Sequence, residues 1–211
     1  MNKPDADSPI STDNSETELP PIEFVAQGSF SIHNPETPSS NPWSAADRAS
    51  SDSQQLIKAD GIEAIRSHSL ALLQQAQHNL CIYSPDLEAW LYNHSSIQQA
   101  CSKLLLAHPK NSLRILVRDS SEITRNGHRL LTLSHRLSSR CSIRKVNIEH
   151  DYSEDSWLIA DRNGLFIRKA QQLQQGLIYY HNPVRTEQSL REFDAMWNVS
   201  QVDLTLRSML L

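Results

Sequence analysis

Ser156 to Lys169, Ser-Trp-Leu-Ile-Ala-Asp-Arg-Asn-Gly-Leu-Phe-Ile-Arg-Lys, constrains the fold more than any other stretch of this chain. Two apolar runs flank the turn residues Asp161-Arg162-Asn163-Gly164. Asn-Gly between such runs predicts a hairpin, because both residues tolerate the positive φ that a type I′ turn requires. Upstream, apolar runs alternate with helical periodicity. Ile62, Ile65, Leu72, Leu73 and Ala76 mark a helix to about Gln77, and Asp60 with Glu63 fits a capping box at its start. Asn79 to Ser84 predicts a short buried strand, ended by Pro85-Asp86, with a helical turn over 86–92. A helix over 95–107 stops at Pro109, and Leu113 to Val117 is a second strand. A long helix is expected over 120–138 and a strand over Ser142 to Ile148. After the hairpin come a strand at Leu177 to Tyr180 and a closing helix over 184–197. Strands separated by helices predict an α/β protein with a mixed sheet flanked by helices.

The charge is uneven along the 211 residues. Residues 1–55 carry nine acids and two bases, a net of −7, whereas 56–211 carry 15 acids and 18 bases, a net of +3. Residues 1–54 are rich in Ser, Pro, Asp, Glu and Asn, too polar to offset the entropy of ordering, and read as a disordered acidic tail. Within it, Ile22-Glu23-Phe24-Val25, Phe30 and Ile32 read as a less polar part of the tail, with a docking segment as the alternative. The folded domain is expected over 55–211. No apolar run is long enough to cross a membrane, and the polar, acidic start is unlike a signal peptide, so the expected compartment is the cytoplasm. Cys81, Cys101 and Cys141 are too dispersed for a zinc site or a disulfide framework and read as buried thiols. The histidines lack metal-site spacing, and no cofactor is expected. His128 and His135, seven apart, read as helix-surface residues.

The segments "NLCIYSPDLEAWLY", "LRILVRD", "GHRLLTLSHRLSS", "SIRKV", "SWLIADRNGLFIRK" and "LREFDAMW" together resemble one half of a phospholipase D-like protein. They are especially similar to a small bacterial domain family of that fold, whose members are sometimes joined to acetyltransferase-like domains. The resemblance implies a catalytic motif His-x-Lys-x4-Asp, in which a His attacks phosphorus and a Lys stabilises the charged oxygens. Counting back from Asp161, the Lys position holds Ser156 and the His position holds Glu154. A carboxylate there repels a phosphodiester, and a hydroxyl carries no positive charge. The expectation is therefore a non-catalytic binding or regulatory module, with Asp161 as a turn residue or strand-end cap. The alternatives are a divergent phosphodiesterase or nuclease using His150 or His128 with Asp161, and an accessory subunit of an acetyltransferase-like protein.

One constellation suits an anionic partner. Arg125, Arg129, Arg136 and Arg140 fall at about 0°, 40°, 20° and 60° on a continued helix, with Leu130, Leu133 and Leu137 beside them facing the core. Arg118 precedes this helix and Arg144 follows it. Guanidinium groups in a row suit phosphates or carboxylates, so the candidate partners are an acidic protein, a nucleic acid, or the chain's own tail. Glu122 on the same stripe favours an ordinary solvated face, and base-stacking aromatics are absent from it. Trp157, Phe166, Phe193 and Trp197 read as core. The run Leu177-Ile178-Tyr179-Tyr180 is a candidate sheet edge for pairing with another chain. A homodimer is a separate candidate assembly, because the resemblance implies that a single-motif enzyme needs a second copy to complete its site.

Overall fold

The computed structural model describes residues 41–47, 55–147, 153–170, 172 and 174–206. One seven-stranded sheet organises them, in the order β1-β7-β6-β5-β2-β3-β4. The strands are β1 (Ile57–Asp60), β2 (Asn79–Ser84), β3 (Ser112–Val117), β4 (Cys141–Lys145), β5 (Ser156–Ala160), β6 (Gly164–Arg168) and β7 (Gln175–Tyr179). The helices are α1 (Ile62–Gln75), α2 (Ala89–Tyr92), α3 (Ser95–Ala107), α4 (Ser121–Asn126), α5 (Arg129–Arg136) and α6 (Pro183–Val199), followed by a 3-10 turn at Leu204–Leu206. Helical connections join β2, β3 and β4, which therefore run parallel. The short-looped strands β5, β6 and β7 run antiparallel, and β5 closes onto β2.

The two faces of the sheet bury different partners. Leu80, Ile82, Leu113, Ile115, Ile143, Leu158, Phe166 and Ile178 pack against apolar residues of α1, α3 and α5. Cys81, Tyr83, Leu116, Trp157, Ile159, Leu165 and Tyr179 pack against Phe193 and Met196 of α6. The alternation of these sets along each strand is the period-2 pattern of a pleated sheet buried on both sides. Trp157, Phe166 and Phe193 are core as expected, and Trp197 is half-buried with its ring stacked on Phe193 at 5.8 Å. All three cysteines are buried and unbridged.

Several expectations are corrected. The capping box does not form, because Asp60 is claimed by the β1 ladder opposite Gln175. Gly61, at φ 87°, occupies the cap position instead, and Glu63 pairs with Arg66 at 2.7 Å. The chain gains β1 at the sheet edge, so β7 lies between β1 and β6 and Leu177–Tyr179 is not an edge. The long helix over 120–138 is two helices. Gly127, at φ 69°, ends α4, and the His128 ring caps α5 by accepting from the Leu130 N–H at 3.1 Å. The expected strand over 142–148 ends at Lys145, and residue 148 lies outside the described residues.

The β5–β6 loop holds three residues, 161–163, and its positive φ belongs to Asp161 (54°), not to the Asn-Gly pair of a type I′ turn. Gly164 serves close packing instead: a Cβ there would lie 2.7 Å from Leu72 Cδ1 of α1. Residues 41–47, part of the expected tail, lie against α1 and α3. Trp43 N–H donates to Ser96 Oγ at 3.0 Å, and Ala46 N–H donates to the Ser67 carbonyl at 3.0 Å. The remainder of residues 1–54, with the apolar run at 22–25, lies outside the described residues.

Candidate functional site

The hairpin that resembles the catalytic motif has two ends, and the sheet separates them. Asp161 lies at the amino end of β2, where its N–H donates to the Asn79 carbonyl at 2.8 Å. Its carboxylate accepts three backbone N–H groups at 2.8 Å each: Gln77 on Oδ2, and His78 and Asn79 on Oδ1. Gln77 and His78 belong to the α1–β2 connection and Asn79 opens β2, so these amides lie where helix and ladder bonds do not supply partners. Asp161 is therefore a cap that ties the hairpin to the start of β2. Ser156 is five residues away at the other end of β5, a distance of about 16 Å along an extended strand.

At that other end, where β2 finishes, four side chains meet. Ser84 ends β2, Glu88 follows it, Ser156 begins β5 and Arg168 ends β6. Arg168 is 3% exposed and Glu88 is 8% exposed. The Arg168 guanidinium pairs with Glu88 Oε1 and donates to Ser156 Oγ at 3.2 Å. Ser84 Oγ donates to Glu88 Oε2 at 3.0 Å. The Trp90 ring lies 5.8 Å from the guanidinium carbon, and Arg168 Nε is buried without a hydrogen-bond partner among the described residues. Burial lowers the Arg168 pKa and Asp86 opposes that shift, but the guanidinium stays charged because arginine starts so high.

The loop carrying Glu88 is held in unusual backbone. Buried Leu87 has φ 60°, a conformation costly for a branched side chain. Its carbonyl lies 3.2 Å from His128 Nε2, and the Glu88 N–H donates to Asp86 Oδ1 at 2.9 Å. A neutral His128 protonated on Nε2 satisfies both of its bonds, since Nδ1 accepts from Leu130. Burial pushes the His128 pKa down to about 4, against the opposing effects of the Leu87 carbonyl and Asp86. His128 is thus a buried structural residue and not on the helix surface as expected. It stands by the carboxyl end of β2, at the far end of the sheet from Asp161. A site built from His128 and Asp161 is excluded, and His150 lies outside the described residues.

Chemically, this cluster is a neutralised ion pair ringed by hydroxyls. Among the described residues no histidine hydrogen-bonds to Ser84 or Ser156, and no group of three metal-ligating side chains occurs. Glu154, at the His position, is exposed. Arg168 and Glu88 were missed because they lie eighty residues apart. The signal that could have found Arg168 is its parity: Phe166 and Arg168 alternate on the same face of an apolar strand as Gly164, which packs on Leu72 of α1, so a charge there must be paired.

The arginines expected to form one stripe are dispersed. Arg125 is on α4, exposed, and 3.4 Å from Glu122. Arg129 and Arg136 are on α5, half-buried and exposed respectively. Arg140 follows α5 and donates to the Leu105 carbonyl at 2.6 Å, satisfying the last turn of α3. Arg118 follows β3, and its N–H donates to the Pro85 carbonyl. Arg144 points to the opposite face of the sheet from α5, lying over the Trp197 ring at 4.4 Å. His135 contacts the Leu206 carbonyl at 2.7 Å.

The fold is that of phospholipase D-like proteins. Three solved structures are similar to this chain in fold. TrmBL2, an archaeal chromatin protein, has 11% identity and a TM-score of 0.53 over 72% of this chain and 55% of its own. Phosphatidylserine synthase from Haemophilus influenzae has 13% identity and a TM-score of 0.53 over 74% of this chain and 41% of its own. NucT from Helicobacter pylori has 9% identity and a TM-score of 0.50 over 71% of this chain and all of its own. The synthase and NucT are phospholipase D-family structures. This chain thus spans about half the length of TrmBL2 and less of the synthase. No curated protein sequence matches it. A match over residues 61–209, most of its length, shows that the chain belongs to the family described as Domain of unknown function (DUF7931).

Proposed function

We propose that this chain does not cleave phosphodiesters and works as a binding or regulatory module built on a phospholipase D-like fold. One observation carries the reading. At the position where the resembling motif places its lysine, Ser156 is buried under Arg168, whose charge Glu88 neutralises. A transferred phosphoryl group needs a nucleophile and an uncompensated cation, and neither is arranged here. Glu154 adds a repulsive charge, and Asp161 is engaged as a cap at the other end of the strand. TrmBL2, a chromatin protein with a described mode of DNA binding, supports a binding use of this fold and names no ligand for this chain. Buried reduced cysteines suit work in a reducing compartment such as the cytoplasm. Among the described residues, no helix is long and apolar enough to cross a membrane.

The test is hydrolysis of bis(p-nitrophenyl) phosphate and of single- and double-stranded DNA by the purified chain. The expected result is no rate above buffer from acid to mildly alkaline pH. Hydrolysis that disappears in Glu154→Ala or Ser156→Ala would overturn the proposal and favour the divergent phosphodiesterase. For the partner, the exposed arginines of α4 and α5 are the proposed surface for an acidic protein or nucleic acid. Recovery from lysate by wild type and by folded Arg125→Glu/Arg136→Glu is compared. A partner lost only from the variant supports that surface and shows whether it is nucleic acid, an acetyltransferase-like protein or another acidic protein. Equal recovery refutes it.

A further inference from the structure

Residues 41–47 form an ordered strap across α1 and α3, and the contacts of Trp43 explain how it is held. The Trp43 ring stacks on His94 with centroids 4.1 Å apart and an interplanar angle of 11°. The Arg66 guanidinium carbon lies 5.0 Å from the same ring. Trp43 and Pro42 form one wall of a groove of about 720 Å³ between α1 and α3. His94 is also the N-cap of α3: its Nδ1 accepts from the Ser96 N–H at 3.2 Å. Ser96 in turn accepts the Trp43 N–H through its Oγ. The stack, the cap and the backbone tie therefore meet at one imidazole and the residue it orders.

We propose that His94 is an acid-sensitive latch, whose protonation releases the Trp43 strap and opens that end of the α1–α3 groove. Only neutral His94 can accept the Ser96 N–H, because both ring nitrogens of an imidazolium are donors. A charge placed there would also oppose the positive end of the α3 dipole. Among the described residues, the charged groups that act on His94 are cationic: Arg129 from α5 and Arg66 from α1. Arg66 is itself fixed by Glu63 at 2.7 Å and by the Trp90 carbonyl of α2, so it is not free to withdraw. The strap contributes Trp43, and its one acid, Asp47, is exposed. Stacking of an imidazolium on an indole is attractive, but here it competes with the fixed Arg66 guanidinium, the charge of Arg129, a helix N-terminus and a lost cap. Burial first, then Arg129 and Arg66, hold the His94 pKa below its ordinary 6.5, so the strap is bound at neutral pH and released on acidification.

The test is acrylamide quenching of Trp43 emission in the full chain, taken as the difference between wild type and Trp43→Phe. It is read at about pH 7.5 and at about pH 5, with unchanged far-UV circular dichroism confirming the fold. The expected result is a quenching constant at least about twofold higher at the acid pH in wild type. His94→Asn, which caps without titrating, should stay at its neutral value, and His94→Ser serves if that variant fails to fold. Arg129→Gln should move the wild-type midpoint to higher pH. A flat wild-type profile, or the same rise in the non-titrating variant, would overturn the latch.

Discussion

Asp161 offers the sharpest test of the claim that the hairpin is architectural. Replacing it removes the acceptor for three backbone N–H groups, each at 2.8 Å. A hydrogen bond to a charged group contributes about 1.5–3 kcal/mol when buried and about 0.5–1.5 kcal/mol in the ordinary case. The lower range applies because the Gln77–Asn79 amides are accessible to water and can be rehydrated. Three bonds then give about 1.5–4.5 kcal/mol. Asp161→Ala also places a methyl-bearing residue at φ 54°, which aspartate tolerates better, adding about 1 kcal/mol. The sum is about 2.5–5.5 kcal/mol for alanine. Glycine loses the same bonds without the conformational cost and should sit about 1 kcal/mol above alanine. Asparagine keeps one oxygen acceptor and the left-handed tolerance, so it should lose only about 1 kcal/mol. Urea unfolding with linear extrapolation gives these values directly, provided the slope is common to the series. The predicted order of stability is Asp, Asn, Gly, Ala. A loss below about 1 kcal/mol for alanine, or glycine no better than alanine, refutes the capping argument.

Other consequences follow from the same geometry. Glu88→Gln leaves Arg168 buried without its counter-charge and should destabilise by about 3–5 kcal/mol, whereas Glu88→Met/Arg168→Met should cost less than either single change in a double-mutant cycle. Gly176→Ala should destabilise more than Gly164→Ala, because its Cβ would run into the rigid ring edge of Phe166 at Cε2, whereas the Cβ at Gly164 meets the flexible end of Leu72, and thermal melts will rank them. His68, His94 and His128 all have pKa values lowered mainly by burial, so their neutral forms belong to the folded state. Their contribution is full above the unfolded value of about 6.5 and is lost as pH falls through the folded values. His128, at about 4, accounts for about 3 kcal/mol of that loss, and His128→Gln should flatten the acid limb of a stability–pH curve.

The fold was largely legible because apolar periodicity and local breakers dictate it. The strands at Asn79–Ser84 and Ser112–Val117 and the helix Ser95–Ala107 announce themselves by β-rich runs, heptad-like spacing and Pro109. The failures occur where tertiary contacts overrule a local signal. Asp60 has the chemistry of a cap but is drawn into an edge ladder with Gln175. Gly127 sits inside an otherwise helical pattern, and only the buried His128 ring, which caps the next helix, shows why the chain turns there. Asn163-Gly164 has the composition of a type I′ turn. The glycine is needed instead for the approach of Leu72, information carried ninety residues away. The arginine stripe failed with the helix it was drawn on, since a wheel places residues only while the helix continues. The ion pair at the carboxyl end of β2 was invisible because a charge pair across three strands leaves no periodic trace.

The two ends of β5 place different physical demands on the residues that the resemblance aligns with a catalytic motif. Asp161 does its work by accepting main-chain amides, a role that needs a short carboxylate at a left-handed position and nothing else from the motif. Such a residue serves the fold whether or not a phosphoryl group ever enters. The other end places no such demand for a lysine. A buried ammonium at Ser156 would be costly without a counter-ion, and Arg168 with Glu88 already fills that space in a neutral, hydrogen-bonded form. Introducing Ser156→Lys alone should therefore destabilise the protein by setting a second cation beside Arg168. Only when Arg168→Met is added should the loss be relieved, measured as a positive coupling in urea unfolding. If Ser156→Lys is tolerated with Arg168 intact, the pocket has room and charge to spare, and the case against phosphoryl chemistry at this end of the sheet fails.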